Sequence, residues 1–201
     1  MTARLVVLAS GAGSNLQAIV DGCAAGRLDA VVAGVVTNVA GAGCIVRAER
    51  SGIPVVVLER APGEERRDYD ARLVGAVAPF AADWVVLAGW MRILTARFLD
   101  AHPARVVNLH PALPGELPGM HAIERAYDEL CAGERTATGV MVHLVPDEGV
   151  DDGPVLATAT VEMHAGDTLA DLEARVHAVE HELLVSTLAE LTERMPTPQE
   201  R

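Results

Sequence analysis

The chain contains no lysine; all 16 of its basic residues are arginine. That absence excludes a lysine nucleophile, a lysine Schiff base and a Walker-type phosphate loop. Aromatic residues make up only 3% of the sequence, so the core has to be assembled from Val, Leu, Ile and Ala. The three cysteines, Cys23, Cys44 and Cys131, stand far apart with no C-x-x-C pair. Neither a zinc knuckle nor a disulfide framework is suggested. No apolar run approaches the ~18 residues of a membrane span, and no G-x-S-x-G marks an acyl-serine enzyme. Positive charge is scarce as well: the formal net charge is −12, which argues against a nucleic-acid partner. An anionic ligand would need local help from an arginine or from backbone N–H groups. The first strand begins almost at residue 1 with no secretion pattern ahead of it, so a soluble cytoplasmic protein is expected.

What is present points to one α/β domain. Half of the 201 residues are apolar, enough for a single core. Leu5-Val6-Val7-Leu8-Ala9 is a continuous apolar run of the kind buried on both faces of a sheet. It enters Ser10-Gly11-Ala12-Gly13-Ser14-Asn15, followed by Leu16, Ile19 and Val20 at helical spacing. Strand, glycine loop and helix can hold a phosphate on backbone N–H groups. The loop is not G-x-G-x-x-G, since position 16 is Leu, and an ordinary turn capped by Ser14 or Asn15 fits it equally. Further strands are expected over 30–37, 54–58, 84–88, 105–109, 136–145 and 155–163. Helices are expected over 44–50, 73–80, from His121 to Leu130, and from Leu169 to Met195. This order predicts a three-layer fold, with a mostly parallel, twisted sheet of about seven strands and helices on both faces. The domain is expected to span 1–195, its halves meeting near residue 100, with a frayed tail over 196–201.

The chemistry gathers at Arg105-Val106-Val107-Asn108-Leu109-His110-Pro111. Residues i and i+2 of a strand share a face, so Asn108 and His110 project together at a carboxyl end, where open α/β sheets bind ligands. An amide beside an imidazole suits an oxyanion, and a carboxylate that orients the imidazole completes an acyl-transfer site. The acidic turn 146–154 supplies candidates in Asp147, Glu148 and Asp151. It lacks the spacing of a calcium loop and also reads as a solvated turn. Gly89-Trp90-Met91-Arg92-Ile93-Leu94 is apolar for a connection, as plain core or as the wall of a pocket for a flat ligand. Arg66 and Arg67 near a helix start hint at an anion. His143, inside a strand, reads as a satisfied histidine. His177 and Glu180 share a helix face at i and i+3.

Four segments in this order, Ser10-Gly11-x-Gly13-Ser14-Asn15-Leu16-Gln17-Ala18-Ile19, Leu87-Ala88-Gly89-x-Met91-Arg92-Ile93-Leu94, Asn108-x-His110-Pro111 and Asp151-x-Gly153-Pro154, resemble the glycinamide ribonucleotide formyltransferases, folate-dependent enzymes of purine synthesis. The similarity runs from residue 4 to about 190. It implies a formyltransferase-type fold with a Rossmann-like, phosphate-binding half over 1–100, and a catalytic, folate-binding half over 101–195. It implies formyl transfer from 10-formyltetrahydrofolate to glycinamide ribonucleotide, with no metal, no membrane partner and a possible homodimer. Gly13, Ser14 and Asn15, with Arg66, would hold the phosphate, and Glu180 the glycinamide part. Met91, Arg92, Ile93 and Leu94, with Val145, Asp147 and Val150, would hold the folate. Asn108, His110 and Asp151 would form the catalytic trio, backed by His121. The chain departs from the family pattern at Ala112-Leu113-Pro114-Gly115, at Trp90 and at His177.

Rival readings make separate predictions. A methionyl-tRNA formyltransferase would bring a further domain and a basic surface, and a formyltetrahydrofolate deformylase an amino-terminal regulatory domain. A non-catalytic nucleotide-binding module would bind without turnover. A metal hydrolase built on His110, His121 and Asp151 would lose activity with chelator, although the proline-rich spacing of its histidines is not that of a helical metal motif.

Overall fold

The computed structural model describes residues 2–193. Seven strands form one sheet: β1 (Ala3–Leu8), β2 (Ala30–Thr37), β3 (Val55–Val57), β4 (Trp84–Leu87), β5 (Val106–His110), β6 (Ala137–Leu144) and β7 (Val155–Glu162). Their spatial order is β3-β2-β1-β4-β5-β6-β7. The first five are parallel, while β6 and β7 run antiparallel to their neighbours. The chain winds outward from β1 in both directions, which opens a crevice at the carboxyl ends of β1 and β4.

Side-chain alternation along the strands divides the core in two. Leu5, Val7 and Ala9 enter one apolar cluster, and Val6 and Leu8 enter the other. The first is covered by α1 (Ser14–Ala24), α2 (Gly43–Arg50), α5 (Ala122–Cys131) and α6 (Leu169–Glu193). These contribute Leu16 and Ile19, Cys44 and Ala48, Ile123 and Ala126, and Leu172, Val176 and Leu184. The second is covered by α3 (Arg66–Val77) and α4 (Ala96–Leu99), through Tyr69, Leu73, Val77, Phe98 and Leu99. With both faces covered, the central strands tolerate no polar alternation, which is why they read as unbroken apolar runs.

The helix expected over 73–80 starts earlier, at Arg66, and its end tightens into a 3-10 turn at Ala78–Phe80, where Pro79 removes a backbone donor. The tail expected over 196–201, and the reach of the last helix to Met195, lie outside the described residues.

The pairing of β1 with β2 slips between Leu5 and Val6, whose partners are Val32 and Gly34. The extra residue turns Gly34 toward the 3-10 turn, where an added Cβ would lie 2.5 Å from the Phe80 ring. Gly34→Val is expected to destabilise the fold by about 1–3 kcal/mol through overpacking, read as a lowered urea midpoint. An unchanged midpoint would show that Phe80 yields freely.

Candidate active site

Val107 and Leu109 point into the first core cluster, so alternation turns Asn108 and His110 to the other face with Val106. Antiparallel β6 lies alongside and sets His143 opposite Asn108. The turn after β6 folds back, pressed so close that a Cβ on Gly153 would lie 1.9 Å from the Leu144 carbonyl oxygen. Asp151 thereby reaches the pair on β5. Its Oδ1 accepts a hydrogen bond from Asn108 Nδ2 at 2.9 Å. Its Oδ2 accepts one from the Gly119 N–H at 2.8 Å and lies 3.3 Å from His110 Nδ1.

Protons in this cluster follow from its neighbours. His143 Nδ1 sits 2.8 Å from the Leu144 carbonyl oxygen, which fixes its proton there and leaves Nε2 to accept from Asn108 Nδ2 at 3.0 Å. The 3.6 Å between His143 Nε2 and Asp151 Oδ1 is too long for a hydrogen bond, and Asn108 bridges the two. Both amide hydrogens of Asn108 are therefore engaged within the cluster. His110 stands between two acceptors, Asp151 and the Leu117 carbonyl oxygen, the latter 3.1 Å from Nε2. A neutral ring can donate to only one of them. Burial nevertheless pushes the imidazole below its ordinary value, outweighing the upward pull of the Asp151 charge. Burial also pushes Asp151 upward, but the nearby His143 ring, the hydrogen bond from the Gly119 N–H and the neighbouring His110 outweigh it, and the carboxyl ends below its ordinary value. Leu117, His121 and Asp151, around this cluster, all have left-handed backbone at φ 44°, 60° and 55°, a strain that packing must hold in place.

The glycine loop meets α6. Gly13 caps α1 at φ 77°, and a Cβ there would fall 2.7 Å from Cys44 Cα, so the loop can lie this close to α2 only because the side chain is missing. Ser14 is half-buried, and the buried Asn15 donates from Nδ2 to Glu180 Oε2 at 3.3 Å, leaving its own Oδ1 without a partner. Glu180 is buried, and desolvation holds its carboxyl above the ordinary value; His177 Nε2 stands 3.9 Å away.

The connection after β4 exposes Met91 and Ile93 while burying Trp90 and Leu94. Arg92 lies over the Tyr69 ring at 4.6 Å. The buried Asp70 accepts from both the N–H and the Oγ1 of Thr95, at 2.5 and 2.7 Å, and so fixes where this loop ends. Val145 is half-buried, Val150 is exposed, and Asp147 accepts from the Gly149 N–H within the turn. A cavity of about 320 Å³ opens at Pro118, Met141, Val150, Asp151, Gly153 and Val155.

Two sequence expectations do not match the side chains. Arg66 pairs with Glu148 of the acidic turn at 3.3 Å, which sets it with the segments expected to hold folate, not with the glycine loop. His121 is exposed, and its ring pairs with Glu124 at 3.0 Å instead of with a member of the trio. His143 was missed, because nothing in the sequence gives the register that sets it opposite Asn108. Asp70 was missed as well. Among the described residues no group of three or more His, Cys, Asp and Glu is arranged to hold a metal ion.

A doubly wound sheet carrying an amide, an imidazole and a carboxylate beside a glycine loop defines an α/β group-transfer enzyme. The family model for formyl transferases matches residues 3–188. A Schizosaccharomyces pombe phosphoribosylglycinamide formyltransferase is 39% identical over 95% of this chain and 98% of its own. The human trifunctional purine biosynthetic protein adenosine-3 is 35% identical over 92% of this chain, which spans 18% of that longer protein. The crystal structure of glycinamide ribonucleotide transformylase 1 from Symbiobacterium toebii superposes with a TM-score of 0.89, at 36% identity, over 96% of this chain and 88% of that one. The chain belongs to the formyl transferase family, and within it to the phosphoribosylglycinamide formyltransferases.

The depressed pKa of Asp151 contributes stability that is present above its ordinary value of 3.8 and is lost as pH falls through the folded value. Asp151→Asn removes that contribution. The stability advantage of the wild type over the variant, from urea titrations, should therefore shrink as pH drops below about 4. An advantage that grows with acidity would contradict the assignment.

Proposed function

We propose that the chain transfers the formyl group of 10-formyltetrahydrofolate to the primary amine of glycinamide ribonucleotide. The products are formylglycinamide ribonucleotide and tetrahydrofolate, as a cytoplasmic step of purine biosynthesis. The observation that carries the reading is the meeting of Asn108, His110 and Asp151 around one carboxylate at the end of β5.

The backbone N–H groups at Gly13, Ser14 and Asn15 hold the ribonucleotide phosphate. Glu180, buried beside Asn15, accepts hydrogen bonds from donor groups of the same substrate. The pterin lies between Met91-Arg92-Ile93-Leu94 and the turn from Val145 through Asp147 to Val150. Arg66, held by Glu148, serves this co-substrate side. The amine nitrogen attacks the formyl carbon, and charge develops on the formyl oxygen. One amide hydrogen of Asn108 turns from Asp151 to that oxygen, and His110 supplies a second donor. Asp151, kept ionised by its surroundings, takes the proton that the amine sheds and returns it to the folate nitrogen as the carbon–nitrogen bond there breaks. One carbon–nitrogen bond forms, one breaks, and the proton ends on tetrahydrofolate.

Asn108→Ala or His110→Ala should lower kcat by about 10²–10³, as loss of an oxyanion donor does. The check is a steady-state assay with both substrates. Full turnover in His110→Ala would overturn the reading.

A further inference from the structure

The hydroxyl of Ser10 does work that none of the roles above requires. It donates to Asn38 Oδ1 at 2.6 Å and accepts from the Met91 N–H at 2.9 Å. The Ser10 N–H also donates to the Gly89 carbonyl oxygen at 2.9 Å. The connection from Gly89 to Met91 therefore hangs on one residue by two bonds. The same residue is the first of the glycine loop. The far side of that loop is tied to α2, where the Cys44 N–H donates to Gly11 O and Arg47 Nε donates to Ala12 O. At its other end the 89–95 connection is clamped by Asp70 on Thr95. Two loops with exposed ligand-facing surface, each fixed at its outer end, thus share a single joint.

The joint is selective in its chemistry. Asn38 follows β2, and its carboxamide oxygen consumes the only proton on the Ser10 hydroxyl, so a lone pair is left for Met91. If the glycine loop shifts to meet a ligand, Ser10 carries the 89–91 backbone with it. If that backbone is already held by a ligand, the glycine loop is ordered before its own ligand arrives. Such a link must be reciprocal in binding free energy.

We propose that Ser10 is a positioning residue that couples the two substrate sites, so that ribonucleotide on the glycine loop and reduced folate on the 89–94 loop each raise the affinity for the other. This rests on the assignment of the two substrates to those loops given above.

The test uses glycinamide ribonucleotide and tetrahydrofolate, a pair that cannot react because no formyl group is present. Calorimetry on the full chain gives the Kd of each ligand alone and with the other saturating. The wild type is expected to show a coupling factor of about 5 or more, within the usual range for linked sites. In Ser10→Ala, which loses the bond to the Met91 N–H and keeps the backbone bond to Gly89, the factor should fall by about threefold or more toward 1, while each ligand alone loses less than about threefold in affinity. Asn38→Ala, which frees the hydroxyl to rotate, should weaken the coupling too, and Ser10→Thr, which keeps it, should restore it. A merely structural serine would change both single-ligand affinities and leave their ratio intact. The proposal is overturned by a wild-type factor of about 1, or by a factor that survives in Ser10→Ala. Absence of binding by either ligand alone would overturn the assignment of substrates itself, and the coupling with it.

Discussion

A half-buried carboxylate is expensive to keep charged unless donors surround it, and the site is organised by that requirement at Asp151. The donors come from separate places: Asn108 and His110 from β5, and the Gly119 N–H from the loop beyond it. None of these groups can move far. Strand β5 is held between β4 and β6, and the turn bearing Asp151 is pressed onto Leu144 at Gly153. The carboxylate therefore gathers its partners through hydrogen bonds and charge. The left-handed residues at Leu117, His121 and Asp151 are the conformational cost of that meeting.

The sheet explains why a second substrate can reach the same point. Its switch of direction beside β1 leaves a crevice where the glycine loop and the connection after β4 face each other. The reversal to antiparallel pairing at β6 brings a fourth polar side chain, His143, alongside Asn108. The acidity of the chain gives this arrangement a further meaning. With a net charge of −12, an anion needs local attraction, which the proposed site offers through backbone N–H groups at Gly13, Ser14 and Asn15 and through the arginines on α3 and its neighbouring loop.

Much of this was legible in the residues. The unbroken apolar runs announced strands covered on both faces, and the spacing of Asn108 and His110 placed both on one side of β5. What the residues hid was long-range register. His143 looked like an ordinary strand histidine because its importance depends on a pairing 35 residues away. Nothing in the sequence singled out Asp70, since only the packing of α3 against the start of α4 turns it into a buried anchor for Thr95. The resemblance assigned Arg66 to the phosphate and His121 to the support of the trio, whereas in the folded chain they pair with Glu148 and Glu124.

If Asp151 organises the site, Asn108 and Asp151 act as one unit in the chemical step. A double-mutant cycle on kcat/KM for formyl transfer, with Asn108→Ala, Asp151→Asn and the double variant, addresses it most directly. The account predicts strong non-additivity, the double variant being scarcely slower than the worse single one. Losses that simply multiply would contradict it, because they would mean that the amide and the carboxylate contribute independently.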